Sequence, residues 1–410
     1  MLFLKKILID NETDKLQVGL VLLCCFLAVI AQMSATLYLP ALLNIQQALS
    51  ISESAVSLSL TMFVLFSAMG QLIFSGMSDV FGRRNVILTG LIIAIAASIF
   101  SSLAVGSISL IAARSLEGLG VGAITATSRA VLNDTHSKNA VVSAISISAI
   151  AAASTSMFSP LIGAVVLQIF KYWQSVFITL TIVGIILLLI AIFKLPESSN
   201  YKQHVRTKVF KSLFKNLLTV FLGDKRPLAF MLSASTAFTI LFTYYVTSPF
   251  LFQSGLHLTY TEYSMIFLIT SGAFITGSTS AKILSNHLRP NRIINFSSIV
   301  MIIAGALFLT LYYVGIFNII STIIVLFIII LMVGLIFPIG MANGISYYKH
   351  LSGTATAIMG FLQMLSSAIG MFIISFLPKS NPAALSAIII VLGLLIFLLV
   401  NTWAKTEPTQ

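Results

Sequence analysis

The chain has 410 residues, of which 58% are hydrophobic and 8% are charged, and its formal net charge is +12. Its mean hydropathy is +1.05. A water-soluble domain carries about 25% charged residues, so this composition excludes a soluble globular protein and indicates that lipid covers most of the surface.

Residues 1–17 are basic and then acidic, and no small-residue cleavage motif follows the next apolar run. We interpret them as a cytoplasmic lead into an uncleaved helix, because a signal peptide would end in such a motif. Cys24 and Cys25 lie side by side in that run. Adjacent thiols in a bilayer-spanning helix are typical of packing residues, and the sequence predicts no metal site.

Twelve apolar runs are long enough to cross a bilayer as helices, which takes about 20 residues each. Helix is predicted because unpaired strand edges in hydrocarbon cost several kcal/mol per group. The sequence therefore predicts an all-α membrane protein. The runs lie near 18–39, 55–75, 85–105, 108–131, 139–168, 173–194, 228–251, 261–283, 292–314, 319–347, 353–377 and 383–403.

Lysine and arginine concentrate on one side of these spans, whereas the opposite loops carry only Lys171 and Lys379. The positive-inside rule then predicts a multi-pass protein of the cell inner membrane with both termini in the cytoplasm. Orientation and contact with anionic lipid account for the basic charge, so we infer no nucleic-acid partner.

The longest connection, 195–227, divides the chain into two six-helix halves, 18–194 and 228–403, with a cytoplasmic tail at 404–410. Its stretch KVFKSLFKNLLTVFL predicts an amphipathic helix on the inner leaflet, with a solvated linker helix as the alternative. When Gly70 is aligned with Gly277, each half shows the end of its second span, a polar turn and an apolar third span. Such parallel repeats occur in transporters whose halves are related by an axis along the membrane normal.

Several stretches resemble a known family. SDVFGRRNVIL, from Ser78 to Leu88, resembles the signature loop of the major facilitator superfamily. LYLPALLNI, RSLEGLGVGA, SRAVLND, TSPFLFQ and SGTATAIMGFLQ resemble its Bcr/CflA branch of drug-resistance exporters, and they follow the family's order along most of the chain. The resemblance implies the major facilitator fold, with twelve transmembrane helices in two pseudo-symmetric six-helix bundles, and a secondary transporter rather than an enzyme.

The resemblance also implies a gating latch at the signature loop. In the family, the acidic residue of this loop pairs with an arginine at the cytoplasmic end of the fourth helix and faces the start of the eleventh. These positions match Asp79, Arg129 and the turn at Ser352 and Gly353. A solvated loop obeying the positive-inside rule is the alternative. The predicted latch residues are Asp79, Gly82, Arg83, Arg84 and Arg129.

The fifth span contains Ser159, Pro160 and Gly163, which resemble a degenerate form of the antiporter motif of exporters. In that motif, proline and glycine kink and thin the helix. A well-packed helix rich in small residues is the alternative. The motif favours export as the direction of transport.

Arg114 and Glu117 are ionisable residues well inside the fourth span, where each costs roughly 2.5–3.5 kcal/mol. Because they are three residues apart, they share one helix face. We expect Arg114 to orient the substrate in a central cavity and Glu117 to bind and release a proton; a permanently ionised structural pair is the alternative. Pseudo-symmetry adds further cavity candidates: Tyr38, Gln71, Tyr244, Tyr245 and Gln363.

These features predict proton-coupled export of a small drug-like or amphiphilic solute by alternating access, driven by the proton gradient without a bound cofactor. The expected partners are the solute, protons and membrane lipids. An uptake permease or a metabolite- or siderophore-exchange permease of the same superfamily is the alternative. A polytopic membrane enzyme is a distant one, because it needs clustered nucleophile, base and oxyanion donors, and the spans contain no histidine.

Overall fold

The computed structural model describes residues 18–136, 138–198, 223–348 and 352–404. Within these ranges, twelve helices are long and apolar enough to cross a membrane, which confirms the predicted number and type of spans. The predicted amphipathic helix, the leading segment and nearly all of the tail lie outside the described residues. The helices are α1 Val18–Thr36, α2 Glu53–Phe81, α3 Arg83–Ser102, α4 Ser107–Thr135, α5 Lys138–Phe170, α6 Gln174–Lys194, α7 Lys225–Pro249, α8 Tyr260–Leu284, α9 Pro290–Tyr313, α10 Ile319–Ser346, α11 Ser352–Ser375 and α12 Ala383–Trp403.

Local side chains determine where several helices begin. Helix α2 begins after Ser52, whose hydroxyl accepts a hydrogen bond from the N–H of Ala55 at 3.1 Å. Helix α7 begins at Lys225, slightly before the predicted residue 228, because the Asp224 carboxylate accepts a hydrogen bond from the N–H of Arg226 at 2.9 Å. Side-chain caps of this kind satisfy N–H groups that have no partner within the helix.

The two six-helix bundles, α1–α6 and α7–α12, repeat one helix contact. A Cβ atom on Gly70 of α2 would lie 3.2 Å from the Cα of Gly122 on α4. A Cβ atom on Gly277 of α8 would lie 3.0 Å from the Cα of Gly334 on α10. Small residues let membrane helices approach this closely. Gly70 and Gly277, which the sequence alignment of the two halves matches, therefore lie at equivalent helix crossings in the two bundles.

The ends of the helices define two faces of the molecule. We call the face that holds the start of α1 and the end of α12 the terminal face, and the opposite one the distal face. At the terminal face, the Asn291 side chain at the start of α9 donates to the carbonyl of Ala404, just beyond α12, at 2.9 Å. The carboxylate of Glu197, beyond α6, accepts hydrogen bonds from the N–H groups of Arg83 and Arg84 at 2.8 and 3.2 Å. Within each bundle, hydrogen bonds thus join helix ends at this face.

The outer surface of the bundles is apolar, as a bilayer requires. Large hydrophobic side chains such as Ile92, Phe100, Phe193, Phe296 and Ile303 are exposed. The hydroxyls of Thr36, Thr239 and Thr247 donate to the carbonyl one turn earlier in their own helix, which satisfies them inside an apolar span.

Candidate functional site

A cavity of about 560 Å³ lies between the two bundles. Helices α1, α2, α4 and α5 form one wall, and α7, α10 and α11 form the other. This volume lies within the range of about 300–1,000 Å³ that is usual for small-molecule sites. The placement, at the interface of two repeats, is that of a solute site in transporters built from repeats.

The lining of the cavity changes character along the membrane normal. Phe63, Phe238 and Phe242 line it near the middle of their helices. Gln71 and Arg129 line it nearer to the terminal face. Phe63 and Gln71 are eight residues apart on α2, which corresponds to about 12 Å along the helix. The cavity therefore has an apolar inner end and a polar, cationic end toward the terminal face.

Hydrogen bonds between the bundles lie on the distal side of the cavity. Two of these join side chains to backbone carbonyls: Gln253 donates to the carbonyl of Pro40 at 3.3 Å, and Ser264 donates to that of Pro160 at 3.1 Å. A third joins the hydroxyls of Thr61 and Ser375, which lie 3.3 Å apart. We call these three bonds the distal closure.

The predicted helix-5 motif lies at this closure. Pro160 is inside α5, and its carbonyl accepts the hydrogen bond from Ser264 of the other bundle. A Cβ atom on Gly163 would lie against the carbonyl oxygen of Leu37, so the glycine allows α5 to approach the end of α1. Ser159 is buried beside them.

The structure joins Arg114 and Glu117 in a fully buried ion pair. The guanidinium Nη1 lies 2.6 Å from the Glu117 Oε2 atom, and Nη2 donates to the carbonyl of Ser34 at 2.7 Å. The guanidinium carbon also lies 4.3 Å from the ring centres of both Tyr38 and Phe63. Within the described part of the chain, the other carboxylate oxygen of Glu117 has no hydrogen-bond partner.

Five of the seven predicted cavity residues do not line the cavity in this conformation. Gln71 and Gln363 line the cavity. The other five are packed inside the protein because the distal ends of the helices are closed over them. Those five are Arg114, Glu117, Tyr38, Tyr244 and Tyr245. Phe63 contacts the Arg114 guanidinium and also lines the cavity, so a single ring separates the ion pair from the solute space.

Charged side chains of the signature loop form a cluster of ion pairs at the terminal face, and these pairs differ from the predicted ones. Gly82 has a φ of 91°, a positive value that glycine adopts readily, and it forms the turn between α2 and α3. Asp79 pairs with Arg83 at 2.5 Å, and Arg83 also pairs with Asp134 at 2.9 Å. The expected pair of Asp79 with Arg129 is not formed here, because Arg129 points into the cavity.

Arg84 supports the same loop. Its Nη2 atom donates to the carbonyl of Ile192 near the end of α6 at 2.6 Å. Together with the contacts of Glu197, this bond fixes the turn between α2 and α3 against α6.

A second cluster joins α7 to α10 at the terminal face. Asp224 pairs with Arg226 at 3.0 Å and accepts a hydrogen bond from the Tyr347 hydroxyl at 2.6 Å. The N–H of Arg226 and then the Tyr347 hydroxyl, both donating to the carboxylate, hold the pKa of Asp224 below its ordinary value. The same bond to Asp224 raises the pKa of Tyr347.

Sequence reasoning missed several cavity residues, although a signal was present. Thr125, Arg129 and Asn133 recur every four residues on α4, and all three line the cavity. Polar residues at helical spacing inside an apolar span indicate a face that turns away from lipid. Phe238 and Phe242 show the same spacing on α7 but are indistinguishable from packing residues by sequence.

Comparison with known proteins identifies the class that this fold and cavity define. The model of the Major Facilitator Superfamily matches residues 24–371. The chain therefore belongs to this superfamily and is a membrane transporter.

Among curated proteins, the chain is 26% identical over 364 residues to the uncharacterized MFS-type transporter YdgK of Bacillus subtilis (strain 168), covering 88% of this chain and 90% of that protein. It is 24% identical over 387 residues to Multidrug resistance protein D of Escherichia coli (strain K12), covering 93% and 94%. The similarity therefore extends over both bundles.

Among solved structures, the D-xylose–proton symporter has a TM-score of 0.75 at 14% identity, covering 95% of this chain and 99% of that one. A bacterial homologue of the human lysosomal transporter Spinster, in an inward-facing and unoccupied conformation, has a TM-score of 0.73 at 12% identity, covering 95% and 98%. These likenesses confirm the major facilitator fold.

Proposed function

We propose that this protein exports small amphiphilic or drug-like solutes by alternating access, in exchange for protons. The observation that carries the proposal is the buried Arg114–Glu117 pair, one aromatic ring away from a cavity between two bundles. A carboxylate held dry beside a solute space can couple protonation to a change of conformation.

The positive-inside rule makes the terminal face cytoplasmic, in the cell inner membrane. The distal closure is then periplasmic, and the conformation described above is inward-facing. The likeness to the inward-facing Spinster homologue supports this assignment. Solute enters the cavity from the cytoplasm and leaves after the distal closure opens.

Glu117 provides the coupling. With the distal side closed, the carboxylate neutralises Arg114 in a fully buried site. Protonation of Glu117 would leave the buried guanidinium uncompensated, which is unfavourable there. A proton therefore favours the distal-open form, where water reaches the pair, and it is released when the closed form is restored. Exchange of solute for protons therefore requires that the proton taken up from the periplasm leave to the cytoplasm as the closed form is restored.

The gating latch belongs to the outward-facing form. There, Asp79 exchanges Arg83 for Arg129 and faces the start of α11, where a helix N-terminus stabilises an anion by about 0.3–1 kcal/mol. In the inward-facing form, Arg129 lines the cavity instead. The exchange gives the signature loop a different ion pair in each state.

Export as the direction, and the Bcr/CflA branch as the subfamily, rest on the helix-5 motif and the resembling stretches. The contact of Pro160 with Ser264 supports a role for the motif in holding the distal side shut. The similarity to Multidrug resistance protein D is in keeping with a drug-like solute.

The test is solute-induced proton flux in proteoliposomes that contain the pH-sensitive dye pyranine and an imposed pH gradient. A panel of neutral, anionic and cationic amphiphiles is added to wild type and to Glu117→Gln. We expect at least one compound to release protons through wild type and none through Glu117→Gln. Glu262→Gln, the same change at the distal start of α8, should behave as wild type.

Two results would contradict the proposal. Full proton-coupled transport by Glu117→Gln would remove this residue from the mechanism. Solute accumulation in right-side-out vesicles, with none in inverted vesicles, would identify an uptake permease instead.

A further inference from the structure

Of the cavity-lining residues that the structure describes, Arg129 is the one that carries a charge. Its side chain lines the cavity and is exposed, although it lies on α4 well inside the protein. A membrane-embedded arginine without an ionic partner is costly, so binding of a group of opposite charge is favourable in this conformation.

The neighbouring carboxylates are already engaged by other cations. Asp79 and Asp134 both pair with Arg83, and Glu117 pairs with Arg114. Among the described residues that line the cavity, none is an aspartate or a glutamate. The charge of Arg129 is therefore uncompensated within the part of the wall that the structure describes.

The surroundings of Arg129 suit the head of an amphiphile. Gln71, Asn133 and Gln363 line the same cavity and offer neutral hydrogen-bonding groups. Phe63 and Phe242 line it farther from the terminal face and suit an apolar body. An amphiphile fits with its charged head toward the cytoplasm and its apolar body toward mid-bilayer.

We propose that the transported solute is a small amphiphile with one anionic group, such as a carboxylate, which pairs with Arg129. This inference rests on the proposed transport function and adds the substrate class. A guanidinium binds a carboxylate through two parallel hydrogen bonds, whereas it repels an ammonium group and gains less from an amide. Cationic compounds are therefore poor ligands of this cavity.

The experiment compares three fluorescent probes with one apolar body: 2-naphthylacetate, 2-naphthylacetamide and 2-naphthylethylamine. Their binding to the purified full-length protein is measured in nonionic detergent without a pH gradient. We expect wild type to bind the carboxylate about tenfold more tightly than the amide, and the amine least. Arg129→Gln should bind the carboxylate and the amide equally, whereas Arg129→Lys should keep part of the preference.

Arg292→Gln serves as the matched control, because this exposed arginine at the start of α9 lies outside the cavity. It should retain the wild-type preference. Wild type that binds the carboxylate no better than the amide, or that binds none of the probes, overturns the inference. So does a preference that survives in Arg129→Gln.

The binding assay separates this inference from the transport proposal. Carboxylate selectivity without proton-coupled flux would support the substrate class and contradict the exporter. Proton-coupled flux of cationic compounds with no carboxylate selectivity would do the reverse.

Discussion

The two bundles share a framework but differ in chemistry. The crossings at Gly70 and Gly277 are equivalent, and on this register α4 and α10 are offset by 212 residues, as Gly122 and Gly334 show. The same offset places Leu326 and Ile329 opposite the ion pair of the N-terminal bundle, and both are fully buried. It also places Met341 opposite Arg129, and both line the cavity.

This difference teaches that pseudo-symmetry constrains helix packing and leaves the chemistry free to diverge. The N-terminal bundle holds the charged groups of the cavity region, and the C-terminal bundle presents apolar and aromatic groups. In the proposed mechanism, coupling to protons is then a property of the N-terminal bundle, and the C-terminal bundle supplies a packing surface that moves against it.

The largest effect on stability is expected when only one partner of the Arg114–Glu117 ion pair is replaced. Glu117→Ile leaves Arg114 buried without a counter-ion and should destabilise the protein by about 3–5 kcal/mol. The double variant Arg114→Leu with Glu117→Ile installs the residues of the C-terminal bundle and should restore most of the stability. Thermal unfolding of the purified proteins in detergent measures both.

The double variant should fold yet lose proton-coupled flux, because the titrating group is absent. Equal stability of the single and double variants would show that the buried charges do not interact. Proton-coupled flux through the double variant would place the coupling elsewhere.

Next in size is the effect of filling the glycine crossings. Gly277→Ala places a methyl group against α10, where the carbonyl oxygen of Leu331 leaves no room, and should cost about 1–3 kcal/mol. Gly70→Ala should cost a similar amount in the other bundle. Gly272→Ala on the same α8 is the control, because a Cβ atom there meets open space. Unchanged melting temperatures for both crossing variants would contradict the close approach of the helices, and a loss in only one variant would contradict the equivalence of the bundles.

A smaller effect on stability is expected to distinguish Lys379 from Lys171, the two lysines of the distal loops. Lys379 is buried, donates to the carbonyls of Ser375 and Leu377 at 2.9 and 3.2 Å, and lies 5.6 Å from the ring centre of Phe250. Burial lowers the pKa of Lys379. Lys171, the matching loop residue, is exposed.

Lys379→Met should therefore lower stability by about 1–2 kcal/mol, because it frees two carbonyls at the end of α11. Lys171→Met should change stability by less than about 0.5 kcal/mol. Melting temperatures of the two variants provide the measurement. Equal shifts would mean that the contacts of Lys379 do not stabilise the protein.

The smallest effect concerns pH at the terminal face. The pKa of Asp224 is held below its ordinary value in the folded protein, so its ionised form adds stability above pH of about 4, its value in the unfolded chain. That contribution is lost as pH falls through the lower folded value. Because the group is partly exposed, we expect less than about 1 kcal/mol between wild type and Asp224→Asn at neutral pH.

The difference between wild type and Asp224→Asn should shrink as the unfolding assay is moved below pH of about 4. A difference that stays constant or grows on acidification would contradict the assigned hydrogen bonds. Tyr347→Phe removes one donor and should reduce the same difference.

The sequence was enough to predict the spans, the repeat and the shared helix face of Arg114 and Glu117, because each depends on local pattern. Apolar runs of bilayer length, the glycines at matching positions and two charges three residues apart report helix geometry directly. The tyrosines could not be placed in this way. Tyr38 and Tyr244 are buried because the distal side is closed, and the closed side depends on the conformational state of the whole molecule.

The dependence on conformational state also explains why Asp79, the predicted partner of Arg129, pairs with Arg83 here. A sequence motif indicates that Asp79 and Arg129 meet at one stage of a cycle, but a single state contains one of the alternative pairings. Lys379 is a further example, since its burial depends on the fold of the loop between α11 and α12 and on Phe250, just beyond α7.

The distance between the bundles at the distal face tests the central claim most directly. Spin labels on Val105→Cys and Val314→Cys, both exposed in distal loops of opposite bundles, report it after Cys24 and Cys25 are replaced by serine. The account predicts a short and a long distance, with the long one gaining population on acidification in wild type and showing no pH response in Glu117→Gln. A single distance that does not change with pH, or a wild-type response in Glu117→Gln, would contradict it.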